Sequence, residues 1–318
     1  MQIIITGGGG FLGQRLKQAL IQSDLPFNEL LIADITDPQD SSGDKRVKSK
    51  QVDLADPDAV RSLFNDDTAI LFHLAAIVSS HAEKDFDLGW RVNVDATRNL
   101  LEACRHTHEG IRFVFASSLA VYGGPLPETV DDSTALTPQS SYGAQKAVGE
   151  LMVNDYSRKN FVDGRVLRLP TICIRPGRPN QAASSFVSSI IREPLNGENA
   201  VCPVPRELAL WLSSPDTVIR NLMHAASLSG LALGHSRNIN LPGIGITVGE
   251  MLDALKRNTD SDTLERVIFN PDPAINRIVS SWPSRIDNRR ALDLGFAIDT
   301  HFDDFIRQYQ SSQTQLHG

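Results

Sequence analysis

Residues 3–13 read IIITGGGGFLG, a β-branched run that leads directly into four glycines and a helical segment. The spacing G-x-x-G-x-x-G is formed by Gly7, Gly10 and Gly13. Glycine at these positions allows a tight turn, a close approach of the backbone to a pyrophosphate, and close packing of helix against strand. A glycine-rich turn alone is weak evidence. The strand–turn–helix context nevertheless predicts a dinucleotide site, with the phosphates at the helix N-terminus.

Working outward from this turn, strand-like and helix-like segments alternate. The strand-like segments are residues 3–6, 30–33, 69–74, 112–116 and 164–169. The helix-like segments are residues 11–23, 90–106, 141–159 and 217–228. Strands separated by helices of this length imply a parallel sheet covered on both faces. We therefore predict the α/β class, with a Rossmann-type doubly wound parallel sheet.

Composition excludes several kinds of protein. The 318 residues carry a net charge of −7, and no run of Lys and Arg interleaved with aromatics suggests a nucleic-acid groove. The cysteines, three in number, are far apart, which disfavours a disulfide framework or a metal site. Neither a signal peptide nor a membrane span is predicted. We expect a cytoplasmic protein with no metal and no nucleic-acid or membrane partner.

Asp34 follows the second strand, about twenty residues after the glycines. A carboxylate there can accept hydrogen bonds from the adenosine ribose and would repel a 2′-phosphate, which favours NAD over NADP. The alternative is a helix N-cap or turn aspartate. Asp53 and Leu54 follow a further short strand, where Asp53 could contact the adenine or simply form a turn.

Tyr142 and Lys146 lie four residues apart and therefore share one face of a helix. An ammonium group close to a phenol lowers the phenol pKa from about 10, which would make Tyr142 a general base for a substrate alcohol. Ser118 follows the strand at 112–116 and could orient the same oxygen. Tyr-x-x-x-Lys alone is more often an ordinary amphipathic pair. Combined with the glycines, Asp34 and Ser118, it predicts a catalytic centre.

With these elements in this order, the chain resembles the extended short-chain dehydrogenases/reductases, which include nucleotide-sugar epimerases and dehydratases. The resemblance covers nearly the whole chain and implies that Ser118, Tyr142 and Lys146 are catalytic. It also implies that Lys146 bonds the nicotinamide ribose and that Asn93 holds its helix near the lysine, although a satisfied buried amide explains Asn93 equally well. The residues expected to bind NAD are Gly7, Gly10, Phe11, Leu12, Gly13, Asp34, Asp53, Leu54, Leu74, Ala75, Ala76, Asn93, Tyr142, Lys146, Leu169 and Thr171.

The strand–helix pattern loosens after Pro170, where Pro, Gly and Ser become frequent. We predict an NAD-binding domain from residues 1–170 plus about 214–240. Residues 171–213 and 241–318 are predicted to form a smaller, C-terminal substrate-binding lobe. The chain is expected to cross between the two more than once.

Departures from the family pattern narrow the reaction. Dehydratases of the family carry Asp-Glu directly after the residue that matches Ser118, whereas this chain has Leu119 and Ala120, which excludes dehydration. Many nucleotide-sugar enzymes carry an Asn where this chain has Thr171, which weakens that interpretation.

Residues 168–197 instead resemble the D-erythronate dehydrogenase group of the family, which implies oxidation of the C2 hydroxyl of a small sugar acid. Arg178, or less favourably Arg175, could pair with its carboxylate. The expected substrate-binding residues are Ser79, Ser80, Ser118, Tyr142, Arg178, Asn180 and Ser184, with Ser185 and His81 as further candidates. Each of the loop residues is equally well explained as a solvated side chain.

Two rival functions stay open. A nucleotide-sugar 4-epimerase would hold NAD tightly and show no net cofactor turnover. A redox sensor or scaffold would bind NAD without chemistry, but would not need the set of Ser118, Tyr142 and Lys146. The family also implies a homodimer that pairs through the helices at 90–106 and 141–159, although an apolar helix face is also explained by the core.

Overall fold

The computed structural model describes residues 1–177, 182–234 and 236–317. The strands in these residues are β1 Gln2–Thr6, β2 Glu29–Asp34, β3 Val47–Gln51, β4 Thr68–His73, β5 Arg112–Ser118, β6 Asp163–Leu169, β7 Thr171–Ile172, β8 Ala200–Cys202, β9 Ala209–Ser213, β10 Asn238–Asn240, β11 Ile244–Thr247 and β12 Val267–Phe269. The α-helices are α1 Phe11–Gln22, α2 Pro57–Arg61, α3 Ser79–Lys84, α4 Phe86–Trp90, α5 Ala96–Thr107, α6 Ser141–Arg158, α7 Ser185–Leu195, α8 Pro215–Ser227, α9 Val248–Asn258, α10 Ser261–Glu265, α11 Pro273–Ser280, α12 Arg289–Asp293 and α13 Phe302–His317.

The main sheet has the order β10-β6-β5-β4-β1-β2-β3. Every neighbouring pair in it is parallel. The strand order reverses between β1 and β4, and ligands of such sheets bind at the carboxyl ends of the strands at this reversal. The predicted α/β class with a Rossmann-type parallel sheet is confirmed.

Helices cover both faces of this sheet because each presents an apolar stripe to it. On one face, Leu16 of α1 and Leu222 of α8 share a buried cluster with Ile3 and Ile5 of β1. On the other face, Leu100 of α5 and residues of α6 and β5 form a second cluster. This two-sided packing fixes the carboxyl ends of the central strands, where the predicted site residues lie.

A separate apolar cluster lies in the C-terminal part of the chain and joins α7, β9, α9 and α13. The small sheets β11-β9-β7 and β12-β8 belong to this region. Leu222, from the segment predicted to return to the first domain, packs on the main sheet, and so does Phe296 from the far end of the chain. The chain thus returns to the main sheet twice after Pro170, while the predicted division into two domains stays a prediction.

His73, the last residue of β4 in the main sheet, is fully buried. Its ring nitrogens lie 2.8 Å from the Thr6 hydroxyl and 2.9 Å from the Thr97 hydroxyl. Burial, and next the positive charge of Lys146, lower the pKa of His73 from 6.5 to about 3. Between these two pH values the unfolded chain binds more protons than the folded one, so stability falls as the pH falls.

We therefore expect His73→Asn to change the pH dependence of stability. Relative to the variant, the wild type should lose up to about 1.4 kcal/mol of unfolding free energy for each pH unit below 6.5. Denaturant unfolding of both proteins at pH 7, 5.5 and 4 measures this difference. A difference that is constant across the series would contradict a neutral, buried His73.

Candidate active site

The glycine turn joins β1 to α1 and leaves the helix N-terminus accessible. Gly7 has a φ of 72°, which favours glycine, and its carbonyl accepts a hydrogen bond of 3.1 Å from the Gly10 amide. Gly10 caps α1 without a side-chain hydrogen bond. The first amides of α1 therefore point out of the helix without an intrahelical partner, as an anion-binding terminus requires.

In this turn, Gly13 is the position where an added side chain would clash most severely with the backbone. An added Cβ would lie 2.3 Å from the Gly7 carbonyl oxygen and 2.7 Å from Gly8 Cα. We expect Gly13→Ala to push α1 away from the turn and weaken NAD binding by roughly 10- to 100-fold, because loss of one hydrogen bond to a charged phosphate costs about 1.5–3 kcal/mol. Calorimetric titration with NAD+ measures it.

Gly249→Ala is the matched control, since an added Cβ there meets nothing closer than 3.3 Å. Equal losses of NAD affinity in the Gly249 and Gly13 variants would contradict the assigned role of the turn.

Asp34 ends β2 beside the glycine turn. Its carboxylate accepts hydrogen bonds from the Gly9 amide at 3.0 Å and the Ile35 amide at 2.8 Å. The side chain is half-buried and each oxygen can accept a further hydrogen bond, so Asp34 can bind the hydroxyls of a ribose.

The Asp53 carboxylate accepts a hydrogen bond of 2.9 Å from the Ala55 amide, which is the geometry of a turn aspartate. Leu54 is buried in the core.

A cavity of about 200 Å³ opens at the carboxyl ends of the central strands. It is lined by Leu12, Leu74, Ala76, Val78, Ser79, Ala116, Ser117, Ser118, Leu119, Tyr142, Lys146, Leu169, Pro170, Thr171, Ile172, Arg175, Ala182, Ser184 and Trp282. The three predicted catalytic residues therefore share one cavity with several predicted cofactor-binding and substrate-binding residues. The glycine turn and Asp34 lie outside this lining, toward β2.

Lys146 lies on the buried side of α6, with 1% of its surface exposed. Its ammonium group donates a hydrogen bond of 2.9 Å to the Ala116 carbonyl and lies 5.8 Å from the centre of the Tyr142 ring. Burial lowers the pKa of Lys146 to about 7, while Glu150 raises it. The predicted pairing of Tyr142 and Lys146 on one helix face is thus present.

The predicted fall in the pKa of Tyr142 does not occur in the protein by itself. Removal of the phenol from water raises the pKa of Tyr142 to about 12, although the Ser118 hydroxyl and the charge of Arg175 act in the opposite direction. The charge of Lys146 is directed instead at the Ala116 carbonyl and the Phe115 ring. The expectation overlooked burial, which disfavours the charged form of any phenol.

The predicted substrate-binding serines separate into two groups. Ser118, Ser79 and Ser184 line the cavity, and the Ser79 hydroxyl also accepts a hydrogen bond of 3.0 Å from the Ala183 amide. Ser80 lies next to Ser79 on α3 but is not part of the lining. Arg178 and Asn180 lie outside the described residues.

Asn93 lies in the π-helical turn Arg91–Asp95, between α4 and α5. Its side chain accepts from the Ile77 amide at 2.8 Å and donates to the Ile77 carbonyl at 3.0 Å. It also donates to Gln145 Oε1 at 2.7 Å. These bonds connect the loop after β4 to the residue before Lys146, so the side chain acts on the cavity through its neighbours.

Sequence reasoning missed a buried ionic network behind Lys146. Glu150 lies one turn further along α6 and forms a bidentate pair with Arg168, with bonds of 2.7 to 3.1 Å. Ser117 donates to the same carboxylate, and Arg168 also donates to the Tyr122 hydroxyl. The four-residue spacing of Lys146 and Glu150 was the available signal, since it places both on one helix face.

The described residues fit a dinucleotide. The close contacts made by a Cβ at Gly13, the uncapped start of α1 and the position of Asp34 form the cradle that a pyrophosphate and a ribose need. Within the same residues, no group of His, Cys, Asp and Glu could hold a metal ion. No helix in the described part of the chain is both long and apolar enough to cross a membrane.

Comparisons with known proteins show which family the chain resembles. Residues 3–228 match the model of the NAD dependent epimerase/dehydratase family. D-erythronate dehydrogenase of Haemophilus influenzae is 55% identical over 97% of this chain and 98% of its own length. D-erythronate dehydrogenase of Cupriavidus necator is 49% identical over the same shares.

Among solved structures, one described as a nucleoside-diphosphate-sugar epimerase from Agrobacterium tumefaciens matches with a TM-score of 0.91 and 40% identity. The match covers 96% of this chain and 92% of that one. The glycine turn, Asp34 and the cavity thus lie in a chain whose relatives share its fold and most of its length. The chain belongs to the NAD dependent epimerase/dehydratase family and is an NAD-dependent dehydrogenase.

Proposed function

We propose that the protein oxidises the C2 hydroxyl of a small sugar acid, D-erythronate, to the 2-oxo acid. The observation that carries this proposal is the cavity in which Ser118, Tyr142 and Lys146 meet Arg175. The volume of this cavity, about 200 Å³, is below the range of roughly 300–1,000 Å³ that holds drug-sized ligands, which favours a small substrate. The two D-erythronate dehydrogenases above support the choice of acid.

In the proposed reaction, Tyr142 takes the proton of the C2 hydroxyl, while Ser118 donates a hydrogen bond to the same oxygen. The C2–O bond becomes a carbonyl as the C2 hydrogen leaves with its electron pair. When bound, NAD+ would supply the acceptor for that hydride and a positive ring that favours the phenolate. Gly7, Gly10, Gly13 and Asp34 would hold its pyrophosphate and ribose, and Lys146 its second ribose.

Asp34 is proposed to select NAD over NADP. We expect Asp34→Asn to raise kcat/KM with NADP+ relative to NAD+ by about tenfold or more, because the variant removes a negative charge that repels a 2′-phosphate. Steady-state rates with both cofactors measure the ratio. Asp37→Asn changes an exposed carboxylate nearby and serves as the control. A ratio that shifts equally in both variants would argue against a specific contact.

The test of the proposed function is NADH formation, followed spectrophotometrically, with NAD+ and a panel of four- to six-carbon sugar acids. Preferential turnover of D-erythronate supports the proposal. Interconversion of a UDP-sugar without net NADH would overturn the proposed substrate and favour the nucleotide-sugar 4-epimerase, the alternative left open by the sequence. The Agrobacterium structure, described as a nucleoside-diphosphate-sugar epimerase, makes this control necessary.

We also propose a homodimer that pairs through α5 and α6. Leu151 of α6 is 68% exposed, and Phe86, at the start of α4, is 58% exposed, so one apolar side chain faces outward on α6 and another on α4. Exposed leucines are common on protein surfaces, so sedimentation in solution is the measurement that decides the oligomeric state.

A further inference from the structure

Three buried or half-buried arginines lie close to the cavity, and they differ in their partners. Arg168 pairs with Glu150, and Arg192 pairs with Glu193 at 2.6 Å. The guanidinium group of Arg175 has neither a hydrogen bond nor an ion pair with any residue that the structure describes. Removal from water lowers the pKa of Arg175, yet an arginine stays charged at neutral pH. Among the described residues, no acidic side chain pairs with the charge of Arg175 in the cavity wall.

The position of Arg175 is nevertheless fixed by α7. Its amide donates a hydrogen bond of 3.0 Å to the Ser188 hydroxyl, and its carbonyl accepts one of 2.6 Å from Arg192. Arg192 is itself buried, and Glu193 compensates its charge. The backbone of Arg175 is therefore held by α7, while its guanidinium group has no counter-ion in the part of the chain that the structure describes.

We propose that Arg175 binds the carboxylate of the substrate and thereby makes the enzyme specific for acids. This inference rests on the proposed function and identifies the group that recognises the charged end of the substrate. Burial of a charge is costly unless an opposite charge compensates it, and a ligand carboxylate would do so here. The planar guanidinium matches a carboxylate with two parallel hydrogen bonds.

The position in the cavity favours a carboxylate next to the reacting carbon. Arg175 lines the same small cavity as Ser118 and Tyr142, and its charge acts on the Tyr142 phenol. In a 2-hydroxy acid, only one bond separates the carboxylate carbon from the carbon that bears the hydroxyl. A carboxylate held at Arg175 would therefore bring that hydroxyl toward Tyr142. Arg178, the residue favoured from the sequence, lies outside the described residues, so the proposal is made for Arg175.

The test compares D-erythronate with its neutral amide, which has the same hydroxyls. In the wild type, kcat/KM should favour the acid strongly. Arg175→Met should lower kcat/KM for the acid by roughly 100-fold, mainly through KM, and leave the amide within about threefold. Arg175→Lys keeps the charge but loses the planar fork, so its loss should be intermediate. Arg277→Met, on the exposed side of α11, should behave as wild type.

A second measurement does not depend on turnover. Calorimetric titration of the NADH complex with D-erythronate should show binding to the wild type and a loss of about 100-fold in Arg175→Met. Absence of acid oxidation with Arg175-dependent acid binding would overturn the proposed function and keep this inference. Oxidation of the acid with an unchanged acid-to-amide ratio in Arg175→Met would support the proposed function and overturn this inference.

Further outcomes would also overturn the inference. Equal losses for acid and amide would mean that Arg175 only supports the fold. Loss of UDP binding in Arg175→Met, with acid binding unchanged, would assign the guanidinium to a phosphate. If Arg175→Met does not fold, Arg175→Lys decides, because its acid-to-amide ratio must fall below that of the wild type.

Discussion

Replacement of Tyr142 by phenylalanine is expected to lower kcat by roughly 100- to 10,000-fold, the usual contribution of a positioned general base. The variant removes one hydroxyl from the cavity wall and keeps the ring that packs near Lys146. NAD binding should change little, because the glycine turn and Asp34 are in a different part of the site. Single-turnover kinetics with D-erythronate, together with NAD+ titration, measure both quantities.

Tyr156→Phe is the matched control for this experiment. Tyr156 lies on the same helix, and its hydroxyl donates to Glu102 outside the cavity. Its loss should leave kcat unchanged. A fall in NAD affinity as large as the fall in kcat in Tyr142→Phe would contradict a role as general base and favour a role in binding the cofactor.

The pKa of Tyr142 explains why the protein alone should be a poor base. With the pKa raised to about 12, the phenol is almost fully protonated at neutral pH. A positive charge that arrives with the cofactor would lower it, and Arg175 already acts in that direction. Catalytic competence is therefore expected to depend on a bound, oxidised cofactor, which couples NAD+ binding to proton removal.

The fold could be predicted from the sequence because its signals are local. The glycine spacing, the β-branched strands and the strand–helix alternation each depend on residues within a few positions of one another. The helix predicted at 90–106 shows the limit of such signals. In the structure it begins earlier, at Phe86, and passes through a π turn that positions Asn93, and periodicity alone does not reveal that turn.

The grouping of Ser118, Tyr142 and Lys146 around one cavity could be predicted from the sequence, but the other residues that line this cavity could not. Trp282 reaches the cavity from a segment more than 130 residues away from Tyr142, and no local pattern indicates this. The sequence analysis favoured Arg178 over Arg175. The sequence does not show that Glu150 and Glu193 pair with Arg168 and Arg192, and so does not distinguish these two arginines from Arg175.

The wrong prediction of a lowered pKa for Tyr142 has the same origin. The spacing of Tyr142 and Lys146 was a correct guide to their common helix face. It carried no information on burial, which dominates the pKa of both groups. Burial is set by packing between distant segments, so predictions of pKa from spacing alone are expected to fail at buried sites.

Removal of the Glu150 carboxylate is expected to destabilise the protein strongly. Glu150→Gln would leave the buried Arg168 guanidinium without its counter-charge, a change that usually costs about 3–5 kcal/mol. The Ser117 hydroxyl would lose a charged acceptor at the same time. Thermal unfolding should show a midpoint lower by roughly 5–15 °C. Glu128→Gln breaks an exposed pair with Arg285 and should change the midpoint little, because Glu128 is 87% exposed.

A double variant separates the charge from the packing. If the cost in Glu150→Gln comes from an unpaired guanidinium, adding Arg168→Met should recover much of the lost stability, since apolar replacements of buried pairs are often neutral. Additive losses in the double variant would show that Arg168 has a further role, through its bond to Tyr122 and from there to Asn240.

Because Glu150 also raises the pKa of Lys146, Glu150→Gln should lower that pKa below about 7. The network would then stabilise the fold and keep the lysine protonated beside Tyr142, so its loss should shift the pH profile of kcat/KM even where the protein stays folded.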